Sequence, residues 1–76
     1  MTIQILAFAQ ARDILGFSEK TVECDPADTP RTLLQRFQVS DDLTFIRIAL
    51  DQEYRDWDTA IGTAKELALI PPVSGG

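Results

Sequence analysis

The alternation of apolar and polar side chains near the start of the chain constrains its fold more than any other feature of the sequence. In residues 2–8 every second side chain is apolar at first, which is the pattern of a β-strand with one face in a core. The core-facing residues are Ile3, Ile5 and Ala7. From Leu6 onward the second face is apolar as well, so Leu6 and Phe8 lie either under another element or against a partner.

Signals for two helices and a second strand follow. Residues 10–15 predict a short helix that ends at Gly16, because glycine adopts the left-handed conformation after a helix C-terminus without strain. Residues 19–24 predict a polar strand near a sheet edge. Thr29 can cap a second helix with its hydroxyl, and Pro30 fits the first helical position. The apolar stripe of this helix consists of Leu33, Leu34 and Phe37, and residues 39–42 end it.

The second half of the chain predicts further strands. They are residues 45–50, residues 54–55 and residues 65–70. Their inward-facing residues are Ile46, Ile48, Leu50, Leu67 and Leu69, and their outward-facing residues are Phe45, Arg47, Ala49, Ala68 and Ile70. The polar stretch 56–65 predicts a surface loop rather than a linker between domains.

The order of these elements predicts an α+β fold in a single domain. Two early strands, a helix across the sheet and later strands form a roll. The first and last strands can lie side by side and parallel, because a helix-containing crossover separates them. This is the ubiquitin-like β-grasp arrangement, a mixed sheet with one main helix packed across it. We expect residues 1–70 to form the domain and residues 71–76 to form a flexible Gly-Gly tail.

Composition excludes several classes of function. The net charge of −5 argues against a nucleic-acid ligand, and it fits either a solvated acidic surface or docking to a basic partner. Histidine is absent and Cys24 is the single cysteine, so a Cys/His metal cluster and a Cys–His catalytic pair are excluded. At the end of a strand, Cys24 is expected to be a structural thiol. No apolar stretch suits a bilayer or a secretion signal, so we expect a cytoplasmic protein.

The last six residues suit a carboxylate that is handed between active sites. Pro71 and Pro72 cannot donate to a sheet ladder and prefer an extended conformation, so they direct the chain away from the body. The segment 71–76 reaches at most about 20 Å. Gly75 and Gly76 can pass through a channel in which a Cβ would collide. Activating the carboxylate requires ATP, which a second protein must supply because the chain has no phosphate-binding loop. The alternative is a frayed, functionless terminus.

Three segments resemble the family of molybdopterin synthase small subunits, the sulfur carriers of molybdenum-cofactor biosynthesis. Residues 8–16 (Phe-Ala-Gln-Ala-Arg-Asp-Ile-Leu-Gly) resemble the family's Phe-Ala-x-x-Arg-Glu-x-x-Gly segment, and residues 48–54 resemble its Val-Ala-Val-Asn strand and turn. Residues 66–76 nearly reproduce the family's tail. The departures are Asp51, where the family usually has Asn, and residues 62–66, where it usually has Asp-Gly-Asp-Glu. Asp51 can still serve the turn, since Asp tolerates left-handed dihedrals.

The resemblance implies a mechanism and a set of partners. An adenylating enzyme related to ubiquitin activators would join Gly76 to AMP with ATP, and a sulfur-donor enzyme would convert it to a thiocarboxylate. The tail residues Pro71, Pro72, Val73, Ser74 and Gly75 would insert into the large subunit, where Gly76 gives its sulfur to a cyclic pyranopterin monophosphate. The implied assembly is a heterotetramer of two small and two large subunits. The chain itself would bind no cofactor and no metal.

The resemblance also implies a hydrophobic contact surface at Phe8, Tyr54 and Ile70, with Arg12 beside it. Periodicity independently places Phe8 and Ile70 off the core face. An alternative is that the short helix and a loop cover these residues.

Two other functions remain open from sequence. One is a different sulfur carrier or a ubiquitin-like protein modifier on the same fold. The other is an interaction module with a functionless tail. A free-standing enzyme is disfavoured, because the chain lacks a general acid–base set.

Overall fold

The computed structural model describes residues 1–37, 43 and 45–72, which form two helices and five strands. The elements are β1 (Thr2–Ala7), α1 (Ala9–Leu15), β2 (Glu19–Glu23), α2 (Pro30–Gln35), β3 (Arg47–Leu50), β4 (Glu53–Arg55) and β5 (Glu66–Ile70). Their order confirms the predicted α+β class.

All five strands belong to one mixed sheet in the order β2-β1-β5-β3-β4. The central pair, β1 and β5, is parallel, with Ile5 opposite Leu67 and Ala7 opposite Leu69. The other pairings are antiparallel. Parallel neighbours need a long crossover, and the chain between β1 and β5 contains α2. The prediction that the first and last strands are parallel neighbours is confirmed, as is the edge position of β2.

One hydrophobic cluster joins α2 to the inner face of the sheet. Ile5, Leu33 and Leu67 are completely buried in it, and Ile48 is 1% exposed. Burying a side chain of this size contributes about 1.5–3 kcal/mol relative to leaving it in water. The residues that alternation assigned to the core therefore form it, and the sheet presents its other face outward.

The second helix starts as predicted but is shorter. The Thr29 hydroxyl accepts a hydrogen bond from Thr32 N at 3.1 Å, and Thr32 Oγ1 accepts one from Thr29 N at 2.9 Å, with Pro30 at the first position. The helix ends at Gln35, whereas the predicted stripe extended to Phe37. The NH groups of Arg36 and Phe37 bond carbonyls three residues back, which tightens the last turn. The predicted end at 39–42 lies outside the described residues.

The third strand begins two residues later than predicted. Ile46 is buried and Phe45 is 46% exposed, as alternation required, but neither is in the strand. Trp57 Nε1 donates to Ile46 O at 2.9 Å, and Ile46 N donates to Leu43 O at 2.9 Å. Both polar groups of the Ile46 backbone are therefore used outside the sheet ladder.

The stretch 56–65, predicted as a polar surface loop, is irregular but anchored. Ile61 is 3% exposed and Ala64 is 7% exposed, because both pack into the core. Ile61 N donates to Asp28 O at 2.7 Å, and Gly62 N donates to Pro26 O at 2.9 Å. The description as a surface loop is therefore incomplete, since apolar residues scattered through a polar stretch carry no periodic signal.

Asp51 and Gln52 form the turn between β3 and β4 with φ angles of 49° and 70°. Two successive left-handed residues match the twist of a tight hairpin. Asp51 Oδ1 also accepts hydrogen bonds from Lys65 N at 2.9 Å and Glu66 N at 3.1 Å. The expectation that Asp serves this turn is confirmed, and its carboxylate additionally holds the start of β5.

Replacing Asp51 tests this double role. We expect Asp51→Ala to lower the free energy of unfolding by about 1–3 kcal/mol, because two backbone NH groups lose their acceptor and a left-handed alanine is strained. Asp51→Asn keeps an acceptor oxygen and should remain within about 1 kcal/mol of the wild type. Urea denaturation monitored by Trp57 fluorescence measures the free energy of unfolding of both variants. Equal losses in the two variants would contradict the assigned role.

Candidate functional site

The face of the sheet opposite α2 carries a shallow groove of about 340 Å³. Strand register places Leu6 opposite Ala68, Ala68 opposite Ala49, and Ala49 opposite Tyr54, so one row of side chains crosses four strands. We call this depression the outer groove. Its lining residues are Leu6, Phe8, Ala49, Gln52, Tyr54, Glu66, Ala68 and Ile70.

Phe8 forms one wall of the outer groove and is 49% exposed. It follows β1 directly, and its NH donates to Leu69 O at 3.3 Å, which holds it beside β5. The next residue, Ala9, has a φ of 48°, and this left-handed step turns the chain from β1 into α1. The turn leaves the Phe8 ring at the surface, so the alternative that α1 and a loop cover it is wrong.

Tyr54 and Ile70 complete the apolar part of the outer groove. Tyr54 lies on the edge strand β4 and is 64% exposed. Ile70 is the last residue of β5 and is half-buried. The structure therefore brings together Phe8, Tyr54 and Ile70 as expected. Arg12 is exposed on α1 but does not line the groove.

The floor of the outer groove has no motif in the sequence that marks it as part of a site. Ala49 is 5% exposed and Ala68 is 8% exposed, and their small side chains leave room between Phe8 and Tyr54. Their outward orientation was predicted by alternation, but the depression depends on strand register. Gln52 and Glu66 also line the groove, and nothing in the sequence singled them out.

The outer groove is continuous with the start of the tail. Pro71 is half-buried and Pro72 is exposed, and both follow Ile70 without interruption. Neither proline has an NH to donate, so strand pairing stops at this point. The predicted tail residues Val73, Ser74, Gly75 and Gly76 lie outside the described residues.

The exposed side chains of the outer groove are those of a binding surface. Residues 1–37, 43 and 45–72 contain no group of three or more His, Cys, Asp or Glu side chains that could hold a metal ion. No helix in these ranges is long and apolar enough to cross a membrane. A groove with two exposed aromatic side chains on its walls is typical of a surface that contacts another protein.

Cys24 directly follows β2 and does not line the outer groove. It is 9% exposed, and burial raises the pKa of its thiol above the ordinary value. A higher pKa lowers the fraction of reactive thiolate at neutral pH. Its backbone is also paired with Met1, since Cys24 N donates to Met1 O at 2.8 Å. These features support the structural role predicted for this residue.

Comparison with known protein families matches residues 5–76 to the ThiS family. A molybdopterin synthase sulfur carrier subunit from Chlamydomonas reinhardtii is 39% identical, and the alignment covers 100% of both chains. The protein of the same name from Dictyostelium discoideum is 35% identical over 96% of this chain and 94% of its own.

Solved structures with the same fold have lower sequence identity. A putative molybdopterin converting factor subunit 1 from Pyrococcus furiosus has a TM-score of 0.74 at 20% identity, covering 96% of this chain and 99% of that one. Small archaeal modifier protein 1 from Haloferax volcanii has a TM-score of 0.71 at 20% identity, covering 95% and 98%. A chain in the complex of subunits 1 and 2 of the Helicobacter pylori molybdopterin-converting factor has a TM-score of 0.69 at 22% identity, covering 100% of both. These likenesses confirm the predicted ubiquitin-like fold.

The environment of Cys24 predicts low reactivity in the native protein. We expect iodoacetamide to alkylate the native chain at pH 8 at least about tenfold more slowly than the urea-unfolded chain, because burial restricts access and raises the thiol pKa. Intact mass spectrometry over time measures both rates, and Cys24→Ala provides the blank. Equal rates in native and unfolded protein would contradict the buried position.

Proposed function

Because this chain belongs to the ThiS family, we propose that it is a sulfur carrier of molybdenum-cofactor biosynthesis, the small subunit of a molybdopterin synthase. One observation supports this most directly: the outer groove ends at Ile70, where the double-proline tail begins. A partner bound in the groove is therefore placed to receive the tail.

In this proposal, Gly76 is the reacting residue. An adenylating enzyme uses ATP to join the Gly76 carboxylate to AMP, since a free carboxylate is a poor electrophile. A sulfur-donor enzyme then supplies sulfur at the oxidation level of sulfide, which displaces AMP from the acyl carbon of Gly76. The resulting thiocarboxylate gives its sulfur to a cyclic pyranopterin monophosphate, and water restores the Gly76 carboxylate. A thiocarboxylate is mostly ionised at neutral pH and has a soft, nucleophilic sulfur, as a thiolate does. The carrier binds neither ATP nor a metal of its own.

The remaining tail residues deliver Gly76 to the partner. Pro71 and Pro72 start the tail in an extended direction, and residues 71–76 reach up to about 20 Å from the body. Val73 and Ser74 continue this path, and Gly75 passes the narrowest part of the channel because it has no side chain. The groups that catalyse sulfur transfer belong to the large subunit.

The outer groove docks the large subunit while the tail is inserted. Phe8 and Tyr54 supply exposed aromatic area of the kind that dominates interface energies, and Ile70 joins this contact to the tail. Arg12, which is exposed on α1 outside the groove, makes a further contact with the large subunit. The Helicobacter pylori relative of known structure is in a complex of subunits 1 and 2, which supports a large-subunit partner here. We propose a cytoplasmic heterotetramer of two small and two large subunits.

A second candidate is a ubiquitin-like protein modifier. It is favoured by the fold shared with small archaeal modifier protein 1. Both candidates require activation of Gly76, but they differ in the acceptor, which is a pterin for the carrier and a lysine amine for the modifier.

Mass spectrometry of the terminal residue tests the proposed function. After co-expression with the adenylating enzyme and sulfur donor, we expect a mass gain equal to one oxygen exchanged for sulfur, localised to Gly76. The product should then lose its sulfur to the pterin precursor when the large subunit is added. Gly76→Ala, or one residue added after Gly76, should abolish transfer without changing the urea midpoint. Lysine adducts without sulfur transfer to the pterin would support the modifier instead.

The docking role of the outer groove predicts a selective loss of binding. We expect Tyr54→Ala to weaken affinity for the large subunit about tenfold, because interface aromatics of this kind contribute ~1–2 kcal/mol or more. Phe45→Ala is a matched control, since Phe45 is an exposed aromatic that does not line the groove. Isothermal titration calorimetry measures both affinities. Equal effects of the two substitutions would contradict the assignment of the groove.

A further inference from the structure

Arg47 lies at the margin of the outer groove, in a position that the sequence resemblance does not mark. It is exposed at the start of β3, and strand register places it opposite Ile70. It points to the same sheet face as Ala49, two residues further along the strand. Its guanidinium carbon is 6.0 Å from the centre of the Tyr54 ring. Arg47 is thus placed between the tail root and the exposed aromatic wall of the groove.

The charge of Arg47 has no carboxylate partner within the described part of the chain. Three arginines there form ion pairs: Arg31 with Asp58 at 2.8 Å, Arg36 with Asp28 at 3.1 Å and Arg55 with Glu53 at 2.6 Å. Arg47 contacts an aromatic ring instead. This contact leaves the guanidinium NH groups free to bind an external group. Arg47 is therefore a positive charge without a paired carboxylate on a chain whose net charge is −5.

The outer groove also has opposite charges at its two ends. Glu66 lines it at the start of β5, whereas Arg47 is opposite Ile70 at the end of β5. Four residues of strand separate these positions by about 13 Å. A surface with a cation near the tail and an anion at the far end favours one orientation of a bound protein, because the reverse orientation would oppose like charges.

We propose that Arg47 is a specificity-determining contact of the outer groove, where it pairs with a carboxylate on the large subunit beside the entrance for the tail. This inference rests on the proposed function and adds the chemistry of the partner surface. A carboxylate matches the planar fork of a guanidinium through two parallel hydrogen bonds. Tyr54 holds the guanidinium in position, so less side-chain freedom is lost when the pair forms.

Charge variants of the full chain test this contact. We expect Arg47→Gln to weaken binding to the purified large subunit about fivefold at 50 mM salt and Arg47→Glu to weaken it further, mainly through slower association. The difference from wild type should shrink as salt is raised, because screening reduces the interaction of exposed charges. Arg55→Gln is the control, since Arg55 is on the adjacent strand and already paired with Glu53. It should bind within about twofold of wild type.

The possible outcomes separate this inference from the function on which it rests. Association and dissociation rates would be measured by surface plasmon resonance at several salt concentrations, with urea denaturation to show that each variant is folded. Binding of both Arg47 variants equal to wild type, or an equal loss at every salt concentration, would overturn the inference and leave the sulfur-carrier proposal intact. A wild-type chain that neither binds the large subunit nor acquires sulfur would overturn both.

Discussion

The parallel pairing of β1 with β5 is the contact on which the rest of the structure depends. It joins the two ends of the chain at the centre of the sheet and buries Ile5 and Leu67 completely. Because the two strands run in the same direction, Phe8, which follows β1, and Ile70, the last residue of β5, lie at the same end of the sheet. Phe8 and Ile70 therefore lie near each other, and the tail starts where the exposed aromatic surface begins. An antiparallel arrangement would place these features at opposite ends of the sheet.

The two faces of the sheet carry different side chains, because successive side chains along each strand point to opposite faces. The inner face packs against α2 and supplies the hydrophobic cluster. The outer face has small residues, Ala49 and Ala68, between larger ones, Phe8 and Tyr54, and this difference in size creates the outer groove. The stability of the domain and its proposed docking surface thus come from the same strands, with little overlap in residues.

The proposed carrier separates chemistry from recognition. Sulfur would reside on Gly76 at the end of the tail, whereas the groove would select the partner. The Asp51 carboxylate supports both the tail and the groove, because it accepts two backbone hydrogen bonds at the start of β5. This strand lines the groove and leads into the tail. Arg31, Arg36 and Arg55 form ion pairs, whereas Arg47 lies over the Tyr54 ring beside the groove.

The sequence by itself determined the element types, the inward faces of β1, β3 and β5, the cap of α2 and the double-proline start of the tail. These depend on local effects, namely alternation, side-chain capping and the missing NH of proline, which act over a few residues. Tertiary structure decided the end of α2 at Gln35, the burial of Ile61 and Ala64, and the late start of β3. It also decided that Ala49 and Ala68 form the floor of a groove and that Arg47 meets Tyr54. The end of α2 involves hydrogen bonds to carbonyls three residues back, and the other features depend on contacts between separate segments of the chain, which periodicity within one segment does not specify.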